Sequence, residues 1–224
     1  MPFTPQHERW QKWLLAAAVS AVLLWGPISP PSAMALGTAP GDIVAHVVGI
    51  IGEVELYQEH LSEEGKSLGR KWVKATKGRA IFLKDYVRTG KGRVRIQFTD
   101  RDDQANSGPS VFNVGEDSEI ALESFDVKFE LKRRTGVIEL IKGAIRGFIK
   151  GWSLESGLSV RAGVAVCGIR GTELTLEYDP AVERFTTTVH EGSVVVAGPG
   201  GSWIVDAGKS LELVAGRLPG APPS

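Results

Sequence analysis

The residues best suited to chemistry lie in one run, Gly168-Ile169-Arg170-Gly171-Thr172-Glu173, followed some twenty residues later by Glu191-Gly192. The glycines allow close backbone approach, and Thr172 or Glu173 can accept from nearby N–H groups. Arg170 can hold a carboxylate or a phosphate, or, if buried, must pair with a carboxylate or carbonyls to offset desolvation. The run therefore reads as a structural corner, with a ligand site as the alternative.

Other chemistries lack their residue sets. His46, His60 and His190 show no His-x-His spacing, and the single cysteine, Cys167, has no Cys-x-x-Cys partner, so no metal is expected. A cupin-type oxygenase would need a histidine-rich ligand set. There is no Gly-x-Ser-x-Gly elbow, and Cys167 has no motif-linked histidine. Gly90-Lys91-Gly92 precedes no helix and reads as a hairpin turn, not a phosphate loop. No catalytic residues and no cofactor are expected. Cys167 lies in the apolar stretch Val164-Ala165-Val166-Cys167, where a thiol behaves as a small buried hydrophobe.

The elements that must position this run are strands. Val94, Ile96 and Phe98 alternate with Arg95 and Gln97, and Leu174, Leu176 and Tyr178 alternate with Thr175 and Glu177. A turn at Asp179-Pro180 separates the latter from the strand ending in Val194-Val195-Val196. Further strands are expected at 43–48, 53–57, 79–83, 111–114, 119–124, 127–132, 137–141, 144–149, 202–205 and 210–214. Residues 58–69 and 100–109 read as polar loops, and 151–157 as a turn region carrying Trp152. Gly52, Gly143 and Gly192 each stand just before a strand, where a positive φ is anticipated. With 27 glycines, 12 prolines and no helical periodicity after residue 40, the fold expected is all-β: two packed antiparallel sheets, a jelly-roll-like β-sandwich.

Residues 1–35 read as a signal peptide. His7, Arg9 and Lys12 precede an apolar run at 13–25, and Ala33-Met34-Ala35 supplies small residues for cleavage. That run is short of the roughly 20 residues a membrane helix needs, so no stable span is expected after cleavage; an uncleaved anchor is the alternative. Residues 36–41 read as a linker, 42–215 as the β domain and 216–224 as a disordered tail. The location expected is periplasmic or secreted.

Net charge is zero, from 26 basic and 26 acidic residues, which removes the whole-chain argument for nucleic acid. Locally, residues 71–95 hold nine bases and one acid, and residues 100–126 eight acids and one base. Pairing between neighbouring strands is the expected use of these blocks; a basic face for anionic polymers or lipid headgroups is the alternative.

The order of segments resembles the FecR-type periplasmic domain: apolar run, Gly168-Ile169-Arg170-Gly171-Thr172-Glu173, polar turn, then Val189 to Val196 through Glu191-Gly192. Upstream, Asp85-Tyr86-Val87-Arg88-Thr89-Gly90 and the 94–98 strand extend the similarity. The resemblance implies a non-enzymatic sensing or protein-interaction module in envelope signalling or scaffolding, with an envelope protein, such as a transporter or receptor, as partner. The short segment before the apolar run implies a stand-alone form without a cytoplasmic anti-sigma segment. A glycan- or peptidoglycan-binding module, with Trp72, Trp152 or Trp203 as stacking platforms for cell-wall glycan, is the alternative.

Overall fold

The computed structural model describes residues 43–61, 67–99, 110–128, 133–149 and 157–216. The expected signal peptide, the linker, the 100–109 loop and Trp152 lie outside these residues, as does the tail beyond Gly216. The described residues form strands and turns and contain no helix.

Sixteen strands follow in chain order. They are β1 (Ile43–Ile51), β2 (Val54–Leu61), β3 (Ser67–Lys74), β4 (Ala80–Phe82), β5 (Tyr86–Thr89), β6 (Arg93–Phe98), β7 (Val111–Val114) and β8 (Glu119–Lys128). Then come β9 (Arg133–Phe148), β10 (Gly157–Ala162), β11 (Ala165–Ile169), β12 (Glu173–Asp179), β13 (Arg184–Glu191), β14 (Ser193–Gly198), β15 (Gly201–Asp206) and β16 (Ser210–Val214).

Two sheets result. Sheet I runs β4-β1-β6-β7-β9-β12-β13-β16. Sheet II runs β3-β2-β5-β8-β9-β10-β11-β14-β15. Strand β9 belongs to both. Its first part pairs with β8 and β10, and its last residues pair with β7 and β12. The change of sheet falls at Gly143, whose φ of 86° is open to glycine at little cost. A Cβ there would stand 2.2 Å from Ser118 Oγ.

Alternation decides which side chains fill the interior. Across sheet I one inward row is Val47, Ile96, Phe112, Gly147, Leu174 and Val189, in register over six strands. Across sheet II the row Leu122, Ile138, Val160, Cys167 and Val196 matches it. All of these positions are buried. The faces meet where Phe98 of sheet I stacks on Phe125 of sheet II, centroids 5.2 Å apart. Each such buried Leu, Ile or Phe stabilises the fold by about 1.5–3 kcal/mol, which lets packing hold the domain without a disulfide.

The all-β sandwich is as the sequence implies, with differences in ladder sense, strand limits and one turn; β8, for instance, runs unbroken through Ser124 to Lys128, where separate strands at 119–124 and 127–132 are expected. All ladders are antiparallel except β9 with β10, which run parallel from Thr135 opposite Gly157 to Glu139 opposite Arg161. The strands expected at 137–141 and 144–149 are one strand, since Gly143 bends the chain without ending its pairing. The described residues of the polar stretch 58–69 are strand: β2 continues to Leu61 and β3 begins at Ser67, and Gln58 turns inward to a buried carboxylate. Finally, Gly90-Lys91-Gly92 is not a hairpin, as β5 lies in sheet II and β6 in sheet I. A Cβ on Gly92 would stand 2.5 Å from Glu53 N, so the chain crosses between sheets against the neighbouring corner. The anticipated positive φ is found at Gly52, Gly143 and Gly192, at 72°, 86° and 81°.

Candidate functional site

The Gly168–Glu173 run is a sheet-to-sheet corner, leaving β11 in sheet II and entering β12 in sheet I. Glu191-Gly192 is the next corner, from β13 back to β14. The two corners are packed together: a Cβ on Gly192 would lie 2.6 Å from Thr172 Cγ2 and 3.0 Å from Gly171 O. Gly171 (φ 61°) and Gly192 turn the chain, Ile149 N donates to Thr172 O at 2.9 Å, and Ala207 N donates to Gly192 O at 2.9 Å. Thr172 is buried, and its hydroxyl has no hydrogen-bond partner among the described residues. Gly168 sits within β11 opposite Val195, where a side chain would meet nothing closer than 3.7 Å.

Arg170 and Glu191 are exposed. The burial that would oblige Arg170 to find a partner is absent. Glu173 instead accepts from Arg146, whose Nε lies 3.1 Å away and whose second guanidinium nitrogen is closer still.

That ion pair opens onto a surface depression, an open groove of 710 Å³ on the outer face of sheet I. Its floor is a cross-strand row, Gly49, Arg95, Asn113, Arg146 and Thr175, in register over β1, β6, β7, β9 and β12. Alternation points these residues outward, opposite in sense to the core row beside them. Arg93 pairs with Glu116 at 3.1 Å, and Thr175 Oγ1 lies 2.8 Å from His190 Nε2. The groove presents guanidinium and amide donors, suited to carboxylates and carbonyls of a bound surface. Sequence reading missed it because its members come from five strands.

A buried polar cluster joins β2, β3 and the turn before β5. Asp85, 2% exposed, accepts from Gln58 Nε2 at 2.6 Å, from Phe82 N at 2.8 Å and from Arg70 at 2.8 Å. Gln58 Oε1 in turn accepts from Arg79 Nε at 2.7 Å. Burial raises the Asp85 carboxyl above its ordinary range; the Gln58 and Phe82 hydrogen bonds and the Arg70 and Arg79 charges only partly oppose this. Its signal was the Asp85-Tyr86-Val87-Arg88-Thr89-Gly90 stretch.

The two charge blocks do pair. Lys84 meets Glu123 at 2.7 Å and Arg93 meets Glu116. Lys74, Glu55, Arg88, Glu119 and Lys142 alternate in sign across five strands of sheet II. Such exposed pairs contribute tenths of a kcal/mol each, about 0.2–1. Of the tryptophans considered as stacking platforms, Trp72 is half-buried with Arg88 3.8 Å over its ring, and Tyr57 is tilted 45° to it. Trp203 packs on the core. Cys167 is buried, and burial pushes its thiol up to about 12, offset slightly by Thr187. Among the described residues no group of three His, Cys, Asp or Glu is placed to hold a metal, and no helix is long and apolar enough to cross a membrane.

Residues 85–195, from the buried Asp85 to the strand after the second corner, match the family described as FecR protein. The chain contains a FecR domain. Two crystal structures of a candidate anti-sigma factor from Parabacteroides distasonis ATCC 8503 are similar to this chain. One shares 13% identity with a TM-score of 0.40, the other 14% with 0.39; each comparison covers 48% of this chain and 47% of the other. The chain thus spans about half the length of those proteins. No curated protein matches the sequence. The sandwich extends beyond the matched FecR segment: β1 and β2, before it, pair with β6 and β5, and β16, after it, pairs with β13.

Proposed function

We propose that this FecR-domain protein is a non-enzymatic module of envelope signalling or scaffolding, acting in the periplasm or outside the cell by binding an envelope protein. The observation that carries the reading is the match over 85–195 together with what the motif residues build. They form two interlocked corners, which stiffen a sandwich and leave its outer faces free to meet a partner. The export reading rests on the basic start, the apolar run and the small-residue cleavage pattern of residues 1–35. The Arg95, Asn113 and Arg146 row is the contact surface this reading favours, since guanidinium and amide donors suit a partner's carboxylates and carbonyls.

The test is fractionation followed by site-specific photo-crosslinking in intact cells, with the photoreactive residue at Asn113 in the groove or at Glu139 on the opposite sheet. A periplasmic product with a discrete protein adduct from position 113 supports the reading. A mature product found chiefly in the cytosol would overturn it, as would turnover of a small molecule that is lost when Asp85 is replaced.

A further inference from the structure

The four sheet edges are guarded to different degrees. In sheet I, β4 has only three residues and an irregular register with β1, and β16 carries exposed Glu212 at mid-strand. In sheet II, β3 carries Arg70, Lys71 and Lys74. Strand β15 has none of these devices. Over its six residues, Gly201 to Asp206, there is no lysine, arginine or proline, and its one charge, Asp206, stands at its end. Among the described residues it pairs only with β14. A free strand edge of this kind is a template for another strand. Its outer face is also apolar: Ile204 is 54% exposed beside Val195 at 49%, with Val166 at 41% on β11.

We propose that β15 pairs antiparallel with β15 of a second copy of this chain, about a two-fold axis through Ile204, fusing the two copies of sheet II. The strand's own sequence selects this occupant and register. To keep core faces aligned, a two-fold axis normal to the sheet must pass through a residue, not between two. An axis through Trp203 would set Ser202 against Ile204, and one through Val205 would set Ile204 against Asp206. An axis through Ile204 sets like against like. Ile204 meets its symmetry mate, Ser202 meets the copy's Asp206 within hydrogen-bonding character, and Trp203 meets the copy's Val205 on the core side. Glu212 on the neighbouring β16 opposes the same continuation in sheet I.

Light scattering of the purified protein over a concentration series is expected to show a monomer–dimer equilibrium. Ile204→Lys, placing like charges directly opposite, should weaken the dimer at least about tenfold without changing circular dichroism, because the side chain is exposed. Ile204→Cys should form an intermolecular disulfide under mild oxidation, as opposed Cβ atoms lie about 4.5–5.5 Å apart. Val166→Cys, on the same face but two strands in from the edge, should stay reduced. A monomer at every concentration, an open-ended assembly, or equal crosslinking by both cysteine variants would overturn the proposal.

Discussion

Gly192 lies against Thr172 so closely that a methyl group on the glycine would sit 2.6 Å from the threonine Cγ2. The two halves of the family motif thus meet in space as adjoining corners. Gly192→Ala has to accept both a φ of 81° and this collision, so it should lose about 2–4 kcal/mol in urea unfolding. Gly168→Ala, in the same motif but with 3.7 Å of clearance, should leave the unfolding free energy unchanged or raise it by about 0.4–1 kcal/mol. Equal losses at both positions would contradict the corner geometry.

Gly147 occupies an inward position of β9 that the Phe112 ring fills, with Phe112 Cε1 2.4 Å from where a Cβ would stand. Gly147→Ala should therefore destabilise by about 1–3 kcal/mol through overpacking. Adding Phe112→Leu should cost less in that background than alone, a coupling that a double-mutant cycle measures directly.

Asp85 is the buried charge on which β2, β3 and β5 converge. Asp85→Ala leaves Arg70 and Gln58 without their acceptor and should cost about 3–5 kcal/mol. The pH dependence has a definite sign. The folded carboxyl titrates above 3.8, so the folded state binds its proton more tightly than the unfolded state does. Its contribution is fully present below 3.8 and is lost as pH rises through the folded value. Measured against Asp85→Asn, the wild-type protein should gain stability on acidification through that window. A gap that shrinks on acidification would mean the ion pairs outweigh burial.

Cys167 should not react with a disulfide reagent in the native protein at pH 8, since burial holds its thiol near 12. Labelling should follow global unfolding, with the same free energy as the denaturant curve. Rapid native labelling would show that the core at β11 opens locally.

Arg170→Ala should change stability by less than about 0.5 kcal/mol, because its side chain is exposed. A large loss of thermal stability would restore the reading in which this arginine braces the corner.

Much of the sandwich was legible in the chain alone. Alternation at 94–98 and 174–178 named the inward residues correctly, and positive φ was anticipated at Gly52, Gly143 and Gly192, although Gly143 bends β9 within its pairing instead of opening a strand. Cys167 was readable as buried from its apolar neighbours. The motif glycines were readable as a corner, whereas Arg170 was not readable as exposed, since exposure depends on what packs over a residue.

What only the tertiary structure decided is which strands meet. The sequence determined that the protein is built of strands with one buried face, since side-chain period and glycine turns are written residue by residue. It did not determine that β5 and β6 part into different sheets, that β9 serves both, or that β9 and β10 run parallel. Nor did it reveal the Arg95, Asn113 and Arg146 row or the Gln58, Arg70 and Asp85 cluster. Those relations join residues tens of positions apart, and they follow from closing a two-sheet core in which every strand must bury one face and satisfy its backbone at the same time.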